Sequence, residues 1–369
     1  MRIGIPKENN EKETRVAIVP VSIPKLMKLG FEVVIEEGAG EKSGYSDAEY
    51  EEKGAKTKSF DEVMKCELIA SIDVPNFKDM KKGQMLACIA DPFRNLEQTK
   101  EIVNAGITLL SLEVIPRRLS KGQSMDVNSS QDNLSGYKAA LMGSQNIAKM
   151  VPMMMTSAGT VRPAKFIIQG AAVAGLQAIA TAKRLGARVE AFDTRDVVEE
   201  QVQSLGAKFV KIDLGETGET SQGYAKELTD EQLAKQKELQ SKVCERSDIV
   251  ITTAQLFGRP APRIIDNSTI KKMKRGSVVL DMAVESGGNV EGSKVDEIVE
   301  VDGVKIVGIS NLASKVAGHA SYALSNNFNN WLLEFYDEES KNIRFDFEDE
   351  IISSSVLVFD GEVKNERFK

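Results

Sequence analysis

Histidine is almost missing from this chain: His319 is the single histidine in 369 residues, and the cysteines Cys66, Cys88 and Cys244 form no closely spaced pair. Zinc sites in proteins draw mainly on histidine and cysteine, so the composition leaves almost no ligands for a zinc centre. We therefore predict no metal site. Three scattered cysteines are typical of a cytosolic protein with reduced thiols.

Long apolar runs are also missing. No stretch approaches the roughly 18 to 20 apolar residues that a membrane-spanning helix needs. The opening residues, MRIGIPKENN, have the pattern of a strand and lack the apolar segment of a signal peptide. The net charge is −7 without a basic stripe, so we expect no nucleic-acid partner. These features predict a cytoplasmic globular protein.

Two series of alternating strands and helices are visible, and the length favours two domains. Helical patterns at Val21–Leu29 and Asn95–Ala105 separate strands of the first series, which predicts a parallel sheet covered on both faces. The expected strands of the first series are Arg2–Pro6, Glu32–Glu37, Leu68–Asp73, Met85–Ala90 and Ile107–Glu113.

The second series has six expected strands, enough for a complete doubly wound nucleotide-binding domain. A long helix over Ser130–Met150 joins the two series, and Ser321–Tyr336 is also expected to be helical. Residues 348–363 suggest a short hairpin that returns to the first domain. The six strands are Lys165–Gln169, Arg188–Asp193, Lys208–Ile212, Asp248–Thr253, Ser277–Met282 and Lys305–Ile309.

Residues 166–195, FIIQGAAVAGLQAIATAKRLGARVEAFDTR, have the strand, glycine turn, helix and second strand of a dinucleotide site. Gly170 and Gly175 match the first and third glycines of G-x-G-x-x-G, whereas Ala172 adds a methyl where the phosphate approaches. Asp193 follows Gly170 by 23 residues, near the offset of the carboxylate that binds ribose hydroxyls. A carboxylate there favours NAD(H) over NADP(H). The alternative is the same fold unit without a ligand.

Other features have plainer interpretations. Met153–Met155 are expected to fill core space, His319 to cap a helix or pack, and the acidic run Glu348–Glu350 to be solvated. A connection of 33 residues separates Leu214 from Asp248. Its second half, Thr229–Arg246, predicts a charged helix, and its glycine-rich first half predicts a functional or mobile loop.

Several longer stretches resemble the NAD(H)-binding component of the proton-translocating nicotinamide nucleotide transhydrogenases, in order along essentially the whole chain. They are RVAIVP at 15–20, QSMDVNSSQDNLSGYKA at 123–139, VPMMMTSAGTVRPAKFIIQGAAVAGLQAIATAKRLGA at 151–187, QGYAKE at 222–227, ITTAQLFGRPAP at 251–262 and DMAVESGGN at 281–289.

The resemblance implies an α/β protein of two Rossmann-like doubly wound domains, the second inserted into the first. The expected boundaries are 1–128 with 320–369, and 129–319 with a mobile loop at about 215–228. It also implies direct hydride transfer between NAD(H) here and NADP(H) on a beta subunit, coupled to proton translocation by a membrane-spanning subunit. A homodimer is implied, in a separate alpha subunit that is peripheral to the inner membrane through its partners.

Site residues follow from the same resemblance. The segment PRRLSKGQSMDVNSS at 116–130 resembles a loop of the first domain that reaches toward the nicotinamide. Gln123, Asp126 and Ser129 match it directly; Arg118 matches better than Arg117 when counted back from Gln123, and both remain candidates. A second group is expected to contact or cover the cofactor: Val173 and Ala174 beside the glycine turn, Thr194 and Arg195 after Asp193, and Gly223 and Tyr224 in the mobile loop.

Two alternatives remain. Alanine dehydrogenase resembles this chain and shares Arg15, but Ser71 and Ile89 stand where its substrate lysine and acid–base histidine are expected. Oxidative deamination then lacks a proton acceptor. The second alternative is a nucleotide-sensing or assembly subunit without chemistry, which the departure at Ala172 keeps open.

Overall fold

The computed structural model describes residues 1–211, 229–256 and 258–368. The chain divides into two compact units: a first unit of Met1–Gln131 and Ala313–Lys369, and a second unit of Asp132–Leu312. The second unit is therefore an insertion in the sequence of the first. This confirms the predicted α/β class with two Rossmann-like units.

The strands in chain order are β1 (Arg2–Ile5), β2 (Glu32–Glu36), β3 (Lys56–Lys58), β4 (Leu68–Ala70), β5 (Met85–Cys88), β6 (Thr108–Ser111), β7 (Met154–Thr156), β8 (Gly159–Val161), β9 (Lys165–Gln169), β10 (Arg188–Phe192), β11 (Lys208–Phe209), β12 (Ile249–Thr252), β13 (Val278–Asp281), β14 (Glu297–Val301), β15 (Val304–Gly308), β16 (Tyr336–Asp337), β17 (Asn342–Ile343), β18 (Val356–Phe359) and β19 (Glu362–Val363).

The α-helices are α1 (Ile23–Lys28), α2 (Asp47–Glu52), α3 (Phe60–Val63), α4 (Leu96–Ala105), α5 (Ser120–Gln123), α6 (Val127–Asn146), α7 (Val173–Arg184), α8 (Glu199–Ser204), α9 (Asp230–Glu245), α10 (Asn267–Ile270), α11 (Ala317–Phe335) and α12 (Glu350–Ser355). Short 3-10 helices span Pro20–Ser22, Glu41–Ser43, Leu112–Val114, Asp196–Val198, Val284–Ser286 and Leu312–Val316.

The first unit is built on a sheet whose described strands run in the order β19-β18-β6-β5-β4-β1-β2-β3. Strands β1 to β6 are parallel, and β18 pairs antiparallel with β6, so the C-terminal segment completes this sheet. The central strands are buried on both faces and are rich in Ile, Leu and Val, as a parallel sheet between helices requires. Trp331 of α11, fully buried, lies in the core of this unit.

The second unit has the order β11-β10-β9-β12-β13-β15-β14 among its described strands. Pairing is parallel except for β14, which is antiparallel to β15 at the edge. This is the strand order of the dinucleotide-binding fold with one strand added. Helix α6 approaches α7 closely at Gly136, where an added Cβ would lie 2.0 Å from the carbonyl oxygen of Ala174.

The segment 348–363 contains the predicted short hairpin, formed by β18 and β19, and β18 joins the sheet of the first unit. A short helix precedes the hairpin: Asp349 accepts from the N–H groups of Ile351 and Ile352 and starts α12. One expectation was wrong. Met153–Met155 do not fill the core. Met153 is 62% exposed and Met155 80% exposed, because β7 and β8 form a separate two-stranded hairpin whose residues all face solvent.

Candidate functional site

The candidate site lies at the carboxyl ends of β9 and β12 in the second unit. These two strands are neighbours, and the strand order proceeds outward from them in opposite directions. Ligands of doubly wound sheets bind in the crevice at such a switch point. Gly170 follows β9 and Thr253 follows β12.

Gly170 makes the tight turn that sequence analysis assigned to it. Its φ is +106°, a conformation that favours glycine, and an added Cβ would lie 2.3 Å from Thr253 Oγ1. The Thr253 hydroxyl donates to the carbonyl oxygens of Gly170 at 3.0 Å and Gln169 at 3.3 Å. A side chain from the neighbouring strand therefore holds the turn in place.

Gly175 allows helix α7 to start directly above the turn. An added Cβ at Gly175 would lie 1.8 Å from the carbonyl oxygen of Gly170, too close for any other residue. Ala172 is the N-cap of α7, with an ordinary φ of −80° and an exposed side chain. The first intrahelical bond runs from Leu176 N–H to Ala172 C=O at 2.8 Å. The N–H groups of the intervening first turn thus point out of the helix end, where they favour an anion.

Asp193 follows the end of β10 and has only 7% of its side chain exposed. Its Oδ2 accepts from Ala171 N–H at 2.8 Å, which ties the glycine turn to the neighbouring strand. Arg195 binds the same carboxylate: its backbone N–H and Nε donate to Oδ1 at 2.9 Å each, and Nη2 donates to Oδ2 at 3.0 Å. The Arg195 side chain is only 13% exposed, so it is not an ordinary surface cation.

These residues fit a dinucleotide. The turn at Gly170 and Gly175 leaves no room for a Cβ and brings backbone close to the helix end, as a pyrophosphate requires. Val173 and Ala174 lie in the first helical turn beside it. Asp193 places a carboxylate beside the turn, with Thr194 between it and Arg195. The methyl of Ala172 is exposed at the helix end, so the turn forms without the second glycine.

The loop residues of the first unit lie around the start of α6. Gln123 ends α5 and is exposed. Asp126 is buried, and its Oδ1 accepts from Ser129 N–H at 2.9 Å while Oδ2 accepts from the Ser129 hydroxyl. This is helix-capping geometry. Arg118 forms an ion pair with Glu350 and is about half exposed. Asp126 therefore binds Ser129, and Arg118 binds a different carboxylate.

The mobile loop expected at about 215–228, with Gly223 and Tyr224, lies outside the described residues. The charged helix predicted after this loop is α9, which begins with a capping box: the Thr229 hydroxyl accepts from Gln232 N–H at 3.3 Å, and the Gln232 side chain accepts from Thr229 N–H at 2.9 Å.

Sequence reasoning missed Thr253, although its place at the end of a strand beside the switch point was a usable signal. It also missed a buried charged cluster at the matching switch point of the first unit. There, Arg15 donates to Glu13 through Nε at 2.9 Å and Nη2 at 2.7 Å, and through Nη1 to Gln131 at 2.9 Å. Both charged side chains are at least nine-tenths buried.

Glu8 completes this cluster after β1. Its carboxylate accepts from the backbone N–H groups of Ile72 at 2.6 Å and Asp73 at 3.1 Å, after β4. Burial raises the pKa of Glu8 to about 8, and burial also raises the pKa of Asp73. Ser71 is buried beside them and donates to the carbonyl oxygen of Asp73 at 2.7 Å, while Ile89 is half-buried after β5. Neither Ser71 nor Ile89 can serve as an acid–base group.

Within the described ranges, no cluster of three or more histidine, cysteine or acidic side chains has an arrangement that could bind a metal ion. Among the helices of these described ranges, none is both long enough and apolar enough to cross a membrane.

Comparison with known proteins agrees with this architecture. The alanine dehydrogenase/PNT N-terminal domain model matches residues 4–135, and the C-terminal domain model of the same name matches residues 139–366. An NAD(P) transhydrogenase alpha subunit of Rhodospirillum rubrum is 42% identical over 375 residues, covering 98% of this chain and 97% of the relative.

Two solved structures are similar. The transhydrogenase from Sinorhizobium meliloti has a TM-score of 0.89 and 40% identity, covering 98% of this chain and 100% of that chain. An L-alanine dehydrogenase has a TM-score of 0.80 at 23% identity, covering 100% of this chain and 98% of that one, and shares the fold. The chain belongs to the alanine dehydrogenase/PNT family and, within that family, to the NAD(P) transhydrogenase alpha subunits.

Proposed function

We propose that this chain is the NAD(H)-binding component of a proton-translocating, Re/Si-specific transhydrogenase. The observation that carries the proposal is the joint placement of the Gly170 turn and the Asp193 carboxylate at one switch point, linked by the bond from Ala171 N–H. The turn and the first N–H groups of α7 would hold the pyrophosphate. Asp193 would accept from the adenosine ribose, which favours NAD(H) over NADP(H).

When bound, the nicotinamide supplies or accepts the hydride. Direct transfer between two nicotinamide rings needs no acid or base, only alignment of the rings at near-contact distance. The absence of a lysine or histidine at Ser71 and Ile89 supports this reaction over amino-acid oxidation. Gln123, with Arg118, Asp126 and Tyr224, is assigned to the transfer step, and exposed Gln123 is available to a partner.

The acceptor in this proposal is NADP(H) on a beta subunit, and a membrane-spanning subunit couples the transfer to proton translocation. The chain would then lie on the cytoplasmic side of the inner membrane, bound through its partners. The NAD(P) transhydrogenase alpha-subunit name of its relatives supports assembly with other subunits.

We also propose a homodimer, and the β7–β8 hairpin is its candidate contact. An isolated two-stranded hairpin is only marginally stable, so this one would gain stability from packing against a partner. It also exposes two large apolar side chains, Met153 and Met155. Methionine-rich exposed surfaces are typical of binding sites. Analytical ultracentrifugation should show a dimer that Met153→Ser with Met155→Ser weakens at least tenfold. Val295→Ser, which changes an exposed residue elsewhere in the second unit, should leave it intact.

The decisive experiment has two stages. The chain alone should bind NADH in a fluorescence titration and bind NADPH more weakly, but it should transfer no hydride. After addition of a purified NADP(H)-binding component of the same system, transfer should begin without any membrane. Gln123→Asn should then slow turnover strongly while changing NADH affinity little, since its effect is expressed in the transition state. Gln98→Asn, on α4 of the same unit, is the matched control.

Two results would overturn the proposal. Equal affinity for NADH and NADPH would contradict the ribose assignment. Rapid oxidation of NADH by the chain alone, with pyruvate and ammonia as acceptors, would identify an alanine dehydrogenase instead.

A further inference from the structure

The hydrogen-bonding capacity of the Asp193 carboxylate is already used within the protein. A carboxylate offers about four acceptor positions. Four donors occupy them: Ala171 N–H, and the backbone N–H, Nε and Nη2 of Arg195, all at 2.8 to 3.0 Å. A ribose hydroxyl can therefore donate to Asp193 only by replacing one of these donors.

The donors differ in how easily they can leave. Two of them are backbone N–H groups: that of Ala171 belongs to the glycine turn held by Thr253, and that of Arg195 belongs to the chain just after β10. The other two, Nε and Nη2, belong to the Arg195 side chain, which can leave by changing rotamer. The guanidinium is thus the group that a ribose displaces.

The same guanidinium changes the charge that a nucleotide meets. Asp193 alone would repel a 2′-phosphate, but Arg195 neutralises it and is itself a good partner for phosphate. Building on the proposed function, we infer that Arg195 is a specificity-determining residue. In the free protein the Arg195 side chain binds the Asp193 carboxylate, an interaction that we call the latch. Arg195 also reduces the preference for NAD(H) over NADP(H) that Asp193 alone would impose.

The test is the ratio of NADH affinity to NADPH affinity, measured by fluorescence titration of the full chain. Arg195→Met removes the fork and keeps much of the length of the side chain, so the ratio should rise at least threefold above wild type. Arg246→Met is the matched control: it removes an arginine that is paired with Glu190 in the same unit, at 2.5 Å, and should change the ratio less than threefold. Circular dichroism checks that each variant is folded.

A second variant, which changes the acceptor Asp193 rather than the donor Arg195, tests the same interaction independently. Asp193→Asn leaves Arg195 without its counter-charge, so the affinity ratio should fall at least threefold as NADPH gains. If the affinity ratio rises less than threefold in Arg195→Met, or falls less than threefold in Asp193→Asn, the latch is wrong. The proposed function still stands in that case, provided that the wild-type chain binds NADH. Failure of the wild-type chain to bind NADH overturns both.

Discussion

The two units share a strand order but differ in what occupies their switch points. In the first unit, the order β3-β2-β1-β4-β5-β6 places the residues after β1 and β4 together; in the second, β11-β10-β9-β12-β13-β15 does the same after β9 and β12. After β9, the chain makes a bare glycine turn. After β1, it carries Glu8, whose carboxylate binds the backbone N–H groups after β4.

This difference shows that a switch point can bind a ligand only when the hydrogen-bond donors at the crevice are not already bound by the protein itself. In the second unit the first turn of α7 presents N–H groups at the crevice. In the first unit the Glu8 carboxyl group accepts from the backbone N–H groups after β4, and the Arg15 guanidinium donates to Glu13 and Gln131. The first crevice is filled by a buried ion-pair core. The second is open to an anion at the glycine turn, where Gly170, Gly175 and the first N–H groups of α7 lie.

The largest expected effect comes from breaking that ion-pair core. Arg15→Met removes the guanidinium charge that is paired with the buried Glu13 carboxylate and should lower the free energy of unfolding by about 3 to 5 kcal/mol. The single tryptophan, Trp331, lies in the core of this unit, so urea unfolding followed by its fluorescence reports on it. Arg94→Met, which removes a surface pair between exposed Arg94 and half-buried Asp91, should cost less than about 1 kcal/mol.

A double variant sharpens this result. Arg15→Met combined with Glu13→Gln should cost less than the sum of the two single changes, because no uncompensated charge remains. Additive losses would mean that the pair does not interact.

The next largest effect comes from adding a side-chain carbon to the glycine turn. Gly175→Ala places a methyl 1.8 Å from the Gly170 carbonyl oxygen and should destabilise the second unit by about 3 kcal/mol. NADH affinity should fall at least tenfold, measured by titration. Gly143→Ala on α6 meets only the Ile249 side chain, with Cγ2 at 3.0 Å, and should change the stability and the NADH affinity less. Equal effects of the two changes would contradict a special role of the glycine turn in stability and NADH binding.

The charge state of the first crevice predicts a pH dependence. Burial raises the pKa of Glu8 from 4.5 to about 8, so the folded state holds a proton that the unfolded chain has lost. The resulting stability is complete below pH 4.5 and is lost as pH rises toward 8. The Glu8 contribution to the slope should reach at most about 1.4 kcal/mol per pH unit. Trp331 fluorescence in urea at pH 5 to 8.5 measures it.

Glu8→Gln is the matched variant, since it cannot titrate. It should flatten the pH profile whatever its effect on absolute stability. The buried Glu113 has a pKa raised to about 7 by burial, so a residual slope near neutrality is expected in the variant. An unchanged profile would show that Glu8 is ionised throughout.

The smallest effect concerns Ala172. If its methyl crowds the pyrophosphate, Ala172→Gly should tighten NADH binding by at most about 1 kcal/mol, comparable to relief of mild overpacking. The exposed position of this methyl at the N-cap sets that upper limit. Weaker binding in the variant would mean that the turn has adapted to alanine.

The order of residue types along the chain was enough to predict both parallel sheets, the glycine turn and the strand that precedes Asp193. Apolar runs of strand length, separated by helical periodicity, are local signals. The edge strands β3 and β14 escaped prediction because they are short or largely exposed and so lack a buried pattern. Within 348–363 the hairpin was predicted, but helix α12 before it was not, because that helix starts from a local bond to Asp349 that the apolar pattern does not reveal.

Contacts between distant parts of the chain could not be predicted in the same way. The motif around Asp193 carries no sign that Arg195 folds back onto the carboxylate, since an arginine after an isolated strand end could equally face solvent. Glu8, Glu13 and Arg15 are three charges near the N-terminus, and distant parts of the chain bind two of them: backbone N–H groups after β4 bind Glu8, and Gln131 of α6 binds Arg15. Local sequence specifies helices, strands and turns; which charges lose their water depends on the packing of strands that are far apart in the chain.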